Sequence, residues 1–280
     1  MGKADLHIHT TVSDGNTKPA DIVNLAVKQH LETIAITDHD SIAGLDEATQ
    51  AAADVNIEVL PGVEITAGFD SRECHLLAYC FDPADPELLK LLSDHRKARF
   101  KRGEWIVQQL NKQGLDLDIE EVKAEANGSS IGRPHIAAVL MAKGYVAGFH
   151  EAFIRYLGDQ ALGTIESDYY SCQHVIRVVK QAGGAIVVAH PGQMYTVEEL
   201  EKFVDAGVDG IEVLHPSHNY DLQKKMQDFA EQHNLLITGG SDFHGGDSDY
   251  LKYFGIVTIN SARVQRIKEM TRQRKKILVE

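Results

Sequence analysis

Residues 4–9 read Ala-Asp-Leu-His-Ile-His, and this stretch decides how the rest of the chain is interpreted. Apolar residues alternate in it with Asp5, His7 and His9. Because successive side chains of a β-strand point to opposite faces, His7 and His9 would lie on the same side of a strand. Two imidazoles on one side, close to the end of a strand, can bind the same metal ion. The motif therefore predicts a metal site at the carboxyl end of the first strand.

Similar short runs of apolar or β-branched residues recur along the chain, and each ends in polar residues, as buried strands do. The predicted strands are Ala4–His9, Thr33–Asp38, Glu58–Ile65, His75–Phe81, Ala185–His190, Gly210–His215 and Leu235–Asp242. Between several of them, apolar residues recur at helical spacing. The predicted helices are Lys18–His30, Ser41–Ala53, Cys172–Ala182, Thr196–Ala206 and Tyr220–His233. Alternation of strands with helices predicts a parallel sheet.

The pattern changes between residues 94 and 170, where helical periodicity dominates. We therefore expect a small helical subdomain, residues 94–170, inserted into one main domain formed by residues 1–93 and 171–280. The first predicted helix of this insert, residues 95–113, is rich in arginine and lysine, which is typical of a solvated surface. A loop with the sequence Gly-Ser-Ser-Ile-Gly-Arg-Pro-His, residues 128–135, leads into a further helix.

Histidines and carboxylates follow most of the predicted strands. In parallel α/β barrels the carboxyl ends of the strands form one active-site face, so residues that are distant in sequence can share a pocket. The residues expected to bind metal are His7, His9, Asp14, His39, Glu64, His75, His190, Asp242 and His244. Imidazole and carboxylate donors without thiolates suit Mn, Zn, Fe or Co. The other scattered histidines are interpreted as structural or surface residues: His30, His95, His150, His174 and His233.

Composition limits the classes of function. The formal net charge of −13 argues against broad binding to long nucleic acid, which depends on lysine and arginine contacts with phosphates. No apolar run is long enough to span a bilayer, and the first residues do not resemble a secretory signal, so we expect a cytoplasmic protein. Three cysteines without CxxC spacing, Cys74, Cys80 and Cys172, predict reduced core residues rather than a disulfide framework.

Taken in order, five motifs resemble the polymerase-and-histidinol-phosphatase (PHP) family. They are Asp-Leu-His-Ile-His, Thr-Asp-His-Asp, Gly-Val-Glu-Ile, Ala-His-Pro and Gly-Ser-Asp-Phe-His, spread between Ala4 and Asn260. The resemblance implies a distorted (β/α)₇ barrel, similar to a TIM barrel, that holds two or three divalent metal ions. Manganese is the expected metal, with zinc or iron as alternatives.

The resemblance also implies how the ligands divide among three ions. His7, His9, Glu64 and Asp242 would bind the first ion, and Asp14, His39 and His244 the second. Glu64, His75 and His190 would bind the third, with Glu64 as a bridge. Within the family, the insert and the segment from Glu212 to His218 resemble phosphatases that remove the 3′-phosphate of 3′,5′-nucleoside bisphosphates, some of whose relatives shorten RNA from the 5′ end.

Charge arithmetic agrees with a phosphorylated substrate. Three divalent ions would contribute +6 and the carboxylates of Asp14, Glu64 and Asp242 −3, so the site would attract an anion. A metal-bound hydroxide would attack phosphorus in line. Arg133, His135 and His218 are the expected substrate-binding residues, and His218, His190 and Asp242 the expected catalytic ones. The expected partner is a small phosphorylated molecule such as a nucleotide or a short oligoribonucleotide.

Several alternatives remain open from the sequence. Histidinol phosphatase and 5′–3′ exoribonuclease activity on short RNA would use the same family site. A non-catalytic metal-binding module and an amidohydrolase are alternatives from other classes. Asp38 and Asp40 are expected to orient His39 or to cap the next helix, and His215 to be structural. The oligomeric state does not follow from the sequence.

Overall fold

The computed structural model describes residues 2–70, 72–162, 168–192, 194–245 and 251–279, so residues 163–167 of the predicted insert lie outside the described residues. The strands are β1 (Lys3–Ile8), β2 (Thr33–Ile36), β3 (Glu58–Leu60), β4 (Gly62–Phe69), β5 (Arg72–Tyr79), β6 (Ala185–Val188), β7 (Gly210–Leu214), β8 (Leu236–Gly239) and β9 (Ile259–Asn260). The helices are α1 (Pro19–Lys28), α2 (Leu45–Ala52), α3 (Pro86–Lys112), α4 (Ile119–Ala126), α5 (Arg133–Ala142), α6 (Phe149–Ala152), α7 (Asp159–Leu162), α8 (Cys172–Gln181), α9 (Val197–Ala206), α10 (Tyr220–Gln232) and α11 (Ser261–Val279). A π-helical turn, Phe153–Leu157, follows α6, and a 3₁₀ turn, Leu251–Tyr253, precedes β9.

The chain has a mixed α/β fold with two sheets. One sheet has the strand order β3-β2-β1-β9 and the other the order β4-β5-β6-β7-β8. Single bridges join them at two places, between Ile8 and Phe243 and between His39 and Glu64. These bridges place β1 beside the end of β8, and the end of β2 beside β4. Continuous ladders therefore end at both junctions, and a closed seven-stranded barrel is not confirmed.

The expectation of a wholly parallel sheet is wrong at β5. This strand is antiparallel to both neighbours, β4 and β6, and β9 is antiparallel to β1. The physical reason is the connection between β4 and β5. Phe69 ends one strand and Arg72 begins the next, and so short a link permits only an antiparallel hairpin.

The predicted strand Glu58–Ile65 is two strands, because Pro61 divides it. Proline has no N–H to donate to a ladder, so β3 ends at Leu60 and β4 begins at Gly62. As a result, Glu64 is the third residue of β4 rather than the last residue of a strand. The hairpin of β4 and β5 continues well beyond it.

Helix α3 begins at Pro86, nine residues before the predicted start of the insert's first helix. Its first turns pack Leu88, Leu91 and Leu92 into the hydrophobic cluster that β4 to β7 share with α8 to α10. A separate cluster of buried apolar residues comes entirely from residues 106–157. This separation supports an inserted unit, and the boundaries 94 and 170 stay a prediction. No helix in the described part of the chain combines the length and apolar character needed to cross a membrane.

Candidate metal centre

The fold brings all nine predicted ligands into one cluster. His7 and His9 lie fully buried at the end of β1. The two bridges between the sheets bring Asp242 and His244 from one side and His39 and Glu64 from the other. Each of the nine has a nitrogen or oxygen within 3.6 Å of an atom of another member. Their roles as ligands remain predictions, whereas their proximity is a property of the fold.

Glu64 lies at the centre of the cluster, and its two carboxylate oxygens face different histidines. Oε2 is 3.2 Å from His9 Nε2 and 3.1 Å from His39 Nδ1. Oε1 is 3.0 Å from His75 Nδ1 and 2.9 Å from His190 Nε2. A carboxylate that divides its oxygens between two groups of donors has the geometry expected of a bridging ligand.

Asp242 completes the group around β1. Its Oδ1 is 3.3 Å from Nε2 of both His7 and His9, and the same His7 nitrogen is 3.5 Å from Glu64 Oε2. These separations are close to those between neighbouring ligand atoms on one ion, since each metal–ligand bond is about 2.1 Å. This group matches the ligand set expected for the first ion.

A second group forms around Asp14, in the loop after β1. Asp14 Oδ1 is 3.5 Å from both His9 Nδ1 and His244 Nε2, and Oδ2 is 3.6 Å from His39 Nε2. His9 therefore contacts this group as well as the first, which the expected division did not include. Similarly, His39 faces both Asp14 and Glu64, so it lies between the second group and the third.

Four donor atoms of the cluster are buried and have no hydrogen-bond partner. They are His7 Nε2, His9 Nε2, Asp14 Oδ1 and His39 Nδ1. Leaving a buried polar atom unpaired costs about 1–3 kcal/mol, more for a charged group, so several together in one pocket are unusual. Several divalent cations bound in the cluster would satisfy all of them, and the described residues thus fit multinuclear metal binding.

Glu212, which the sequence interpretation did not select, orients two of the predicted ligands. Its Oε1 is 3.0 Å from His7 Nδ1, and its Oε2 accepts a 2.7 Å hydrogen bond from the backbone N–H of His190. When Nδ1 of His7 carries the proton and donates a hydrogen bond to Glu212, Nε2 is free of its proton and presents its lone pair to the cluster. The available signal was a charged residue in the middle of the apolar strand Gly210–Leu214.

His215, which follows β7, lies beside Asp242. Its Nδ1 accepts a 3.1 Å hydrogen bond from the Ser217 N–H, so the proton belongs on Nε2, which lies 3.3 Å from Asp242 Oδ2. His215 thus contacts the second carboxylate oxygen of Asp242, and His7, His215 and Asp242 form a further group of donors close enough to hold an ion. It was expected to be structural, and its contact instead connects it to a predicted ligand.

Neither Asp38 nor Asp40 orients His39 in the way expected. Asp38 accepts hydrogen bonds from Thr10 and Ser13, and so shapes the loop that carries Asp14. Asp40 binds Thr66 and residues of α3. Their carboxylates therefore fix the backbone on either side of the cluster.

The insert approaches the cluster at Gly132. A Cβ atom at this position would lie 3.3 Å from Asp14 Oδ2, so the absence of a side chain permits the close approach. The adjoining Arg133 donates to the Leu157 carbonyl at 3.1 Å, and its guanidinium is 3.8 Å from Glu73. His135 Nδ1 accepts a 3.0 Å hydrogen bond from the Gly132 N–H, so this imidazole shapes the loop.

His218 is buried, and the backbone binds both of its ring nitrogens. Nδ1 is 2.9 Å from the Val213 carbonyl, and Nε2 accepts a 3.0 Å hydrogen bond from the Gly192 N–H. Burial lowers the pKa of His218, which agrees with a neutral ring. This arrangement favours a role in holding the loop after His190 over the direct substrate contact expected from the sequence.

Burial and mutual charge shift the pKa values of the clustered groups. Burial disfavours the charged forms of His7 and His9, but nearby carboxylates, notably Glu212 and Asp14, raise the pKa of both well above 6.5. Burial likewise opposes ionisation of Glu64, yet the surrounding histidines hold its pKa well below 4.5. Without metal, protonated His7 and His9 therefore balance nearby carboxylates, whereas burial and the charge of Arg99 hold the pKa of His39 well below 6.5.

We expect the metal-free protein to lose stability as the pH rises above about 6.5. The raised pKa values of His7 and His9 give stabilisation that is complete below their usual value of 6.5 and is lost as the pH passes their folded values. The lowered pKa of Glu64 gives stabilisation that is lost on acidification below about 4.5. Scanning calorimetry with chelator should therefore place the highest Tm between these values. A Tm that rises steadily to pH 9 would contradict this prediction.

Comparison with known proteins agrees with the geometry. A family model for the PHP domain matches residues 5–182. The chain is 33% identical to a 5′-3′ exoribonuclease of Haemophilus influenzae over 247 residues, 86% of this chain and 90% of that protein. It is 32% identical to a 3′,5′-nucleoside bisphosphate phosphatase of Chromobacterium violaceum over 250 residues, 87% of this chain and 88% of that protein.

Two further matches cover most of the chain. A phosphoribosyl 1,2-cyclic phosphate 1,2-diphosphodiesterase of Eggerthella lenta is 30% identical over 245 residues, 86% of this chain and 94% of that protein. A crystal structure from Bifidobacterium adolescentis, described as a metal-dependent phosphoesterase, superposes with a TM-score of 0.87 at 34% identity, over 95% of this chain and 96% of that one. The family model, these relatives and the clustered donors together show that the chain belongs to the PHP family and is a metal-dependent phosphoesterase.

Proposed function

We propose that this protein is a phosphomonoesterase that removes the 3′-phosphate of 3′,5′-nucleoside bisphosphates. The observation that carries the proposal is the single pocket in which four groups of donors lie together, two of them sharing Glu64, and leave buried atoms unpaired. When bound, divalent ions, proposed to be three Mn²⁺, neutralise phosphate charge and lower the pKa of an attacking water. The Chromobacterium violaceum relative, named as a bisphosphate phosphatase, supports this substrate.

The chain's own residues have separate proposed roles. The nine clustered histidines and carboxylates hold the ions, and Glu212 keeps His7 in the tautomer that can bind metal. Asp242 and His190 would hold ions that bind the scissile phosphate. The proposal assigns Arg133 to the second phosphate, because a guanidinium forms paired hydrogen bonds with phosphate oxygens.

Arg133→Ala should raise KM for a 3′,5′-bisphosphate about tenfold to a hundredfold, the loss expected for a hydrogen bond to a charged group. A nucleoside 3′-monophosphate lacks the second phosphate, so its hydrolysis should change little. Steady-state kinetics with both substrates provides the test. Arg155→Ala is the matched control, since Arg155 lies on the same insert and pairs with exposed Glu151. Equal losses with both substrates would remove the proposed role of Arg133.

A second candidate function is 5′–3′ exonuclease activity on short RNA. The Haemophilus influenzae relative carries that name, and a 5′-phosphorylated RNA end offers the same kinds of group to the site. Phosphate or nucleotide release should be compared with a 3′,5′-bisphosphate, a 5′-phosphorylated trinucleotide, a cyclic phosphodiester and histidinol phosphate. The highest kcat/KM for the bisphosphate is the expected result, and a preference for any other member would replace the proposed substrate.

A further inference from the structure

Helix α3 presents a basic face to the strands that carry the metal cluster. Arg96, Arg99 and Arg102 are spaced three residues apart, so they lie on one side of the helix. The sequence predicted a solvated surface, but Arg99 is only 2% exposed and Arg102 only 7%. Burying a guanidinium is costly unless it is paired, so their partners explain why they lie there.

Arg99 joins the end of β2 to β4. Its Nε donates to Asp40 Oδ2 at 2.5 Å and its Nη2 to Thr66 Oγ1 at 2.7 Å. Asp40 in turn accepts from the Thr66 N–H at 3.0 Å, and its own N–H donates to the Glu64 carbonyl. Arg96 adds a 2.9 Å hydrogen bond to the Asp40 carbonyl.

Arg102 extends the same contact to β5, where it donates to Glu73 Oε2 at 2.5 Å. Each partner of the two buried arginines is close in sequence to a predicted ligand. Asp40 follows His39 directly, Thr66 lies two residues after Glu64, and Glu73 lies two residues before His75. Residues two apart on a strand share a face, so Thr66 and Glu73 lie beside the ligands.

We infer that Arg99 and Arg102 are positioning residues that set the spacing of His39, Glu64 and His75. These three residues form one of the groups whose donor atoms lie close enough to hold an ion. Helix α3 thereby holds three separate chain segments at the distances that the ion requires. The inference rests on the proposed metal centre and assigns the basic helix a role in it.

Manganese binding to chelator-treated protein, measured by calorimetry, tests this inference without any substrate. Arg99→Gln and Arg102→Gln should each weaken one Mn²⁺ binding step about tenfold or more, as loss of a residue that orients ligands does. The remaining steps should stay near the wild-type values. Arg99→Lys should recover part of the affinity, because it keeps the charge but loses the two-pronged contact.

Lys101→Gln is the matched control, because Lys101 lies on the same helix and its side chain is 66% exposed. It should leave every Mn²⁺ binding step unchanged. If Arg99→Gln fails to fold, Arg99→Lys and Arg102→Gln decide the question. Folded variants with a lower Tm but wild-type Mn²⁺ affinity would overturn the inference and leave a structural role only. Absence of Mn²⁺ binding by the wild type would instead overturn the proposed function.

Discussion

Glu64→Gln is expected to lower kcat/KM by about a thousandfold or more. The neutral amide keeps the size of the side chain but removes the negative charge from the centre of the cluster, where both oxygens face histidines. A bound divalent ion contributes several kcal/mol to transition-state stabilisation, and about 1.4 kcal/mol corresponds to a factor of ten in rate. Loss of the bridging charge should weaken the binding of more than one ion.

The control for this substitution is Glu58→Gln. Glu58 lies on β3, the strand that precedes β4 in the chain, and pairs with Lys268 at the surface. The Glu58→Gln variant should therefore keep its activity within about twofold of wild type, as expected for an exposed ion pair. Metal content should be measured for both variants beside the kinetics. A Glu64→Gln enzyme that keeps its full metal content and more than a tenth of wild-type activity would exclude the bridging role.

Removal of divalent ions should abolish phosphoesterase activity, and Mn²⁺ should restore it. The described residues supply imidazole and carboxylate donors but no thiolate in the cluster, a set that suits Mn, Fe or Zn. Protein treated with chelator, dialysed and then titrated with each metal in turn would rank them by recovered rate. We expect Mn²⁺ to give the highest rate.

The metal content of protein purified without chelator complements this titration. Elemental analysis should give more than one ion per chain, because the donors form several groups. Less than one ion per chain, together with no phosphate release in the presence of Mn²⁺, would favour a non-catalytic module. Full metal loading with hydrolysis of amides but not phosphates would favour the amidohydrolase alternative.

The sequence predicted the cluster well because short motifs around the ligands mark most of them. The alternation that places His7 and His9 on one face of β1 is visible in six residues. His39, His190 and Asp242 each follow an apolar run, and in α/β folds such positions meet at one edge of the sheet. The structure therefore brings the predicted residues together, although the boundaries of the strands differ by up to four residues.

The contacts that support the cluster could not be predicted in this way, because they join distant segments. Glu212 and His7 are 205 positions apart, and Arg99 and Asp40 are 59 apart. Helical periodicity does not distinguish a buried arginine from an exposed one. The arginines of α3 were therefore predicted to lie on a solvent-exposed face. The direction of β5 depended on the length of one connection rather than on any strand pattern.

The antiparallel hairpin of β4 and β5 also affects how the enzyme family can diversify. From Glu64 the strand runs five more residues to Phe69, roughly 16 Å at strand spacing, and Phe69 is buried in the cluster that β4 to β7 share with α8 to α10. Where a helix connects two strands, a change in loop length moves that helix. Here, insertions beyond Phe69 would leave Glu64 and His75 in register, because the ladder pairs Glu64 with Leu77 and Thr66 with His75 well before the tip.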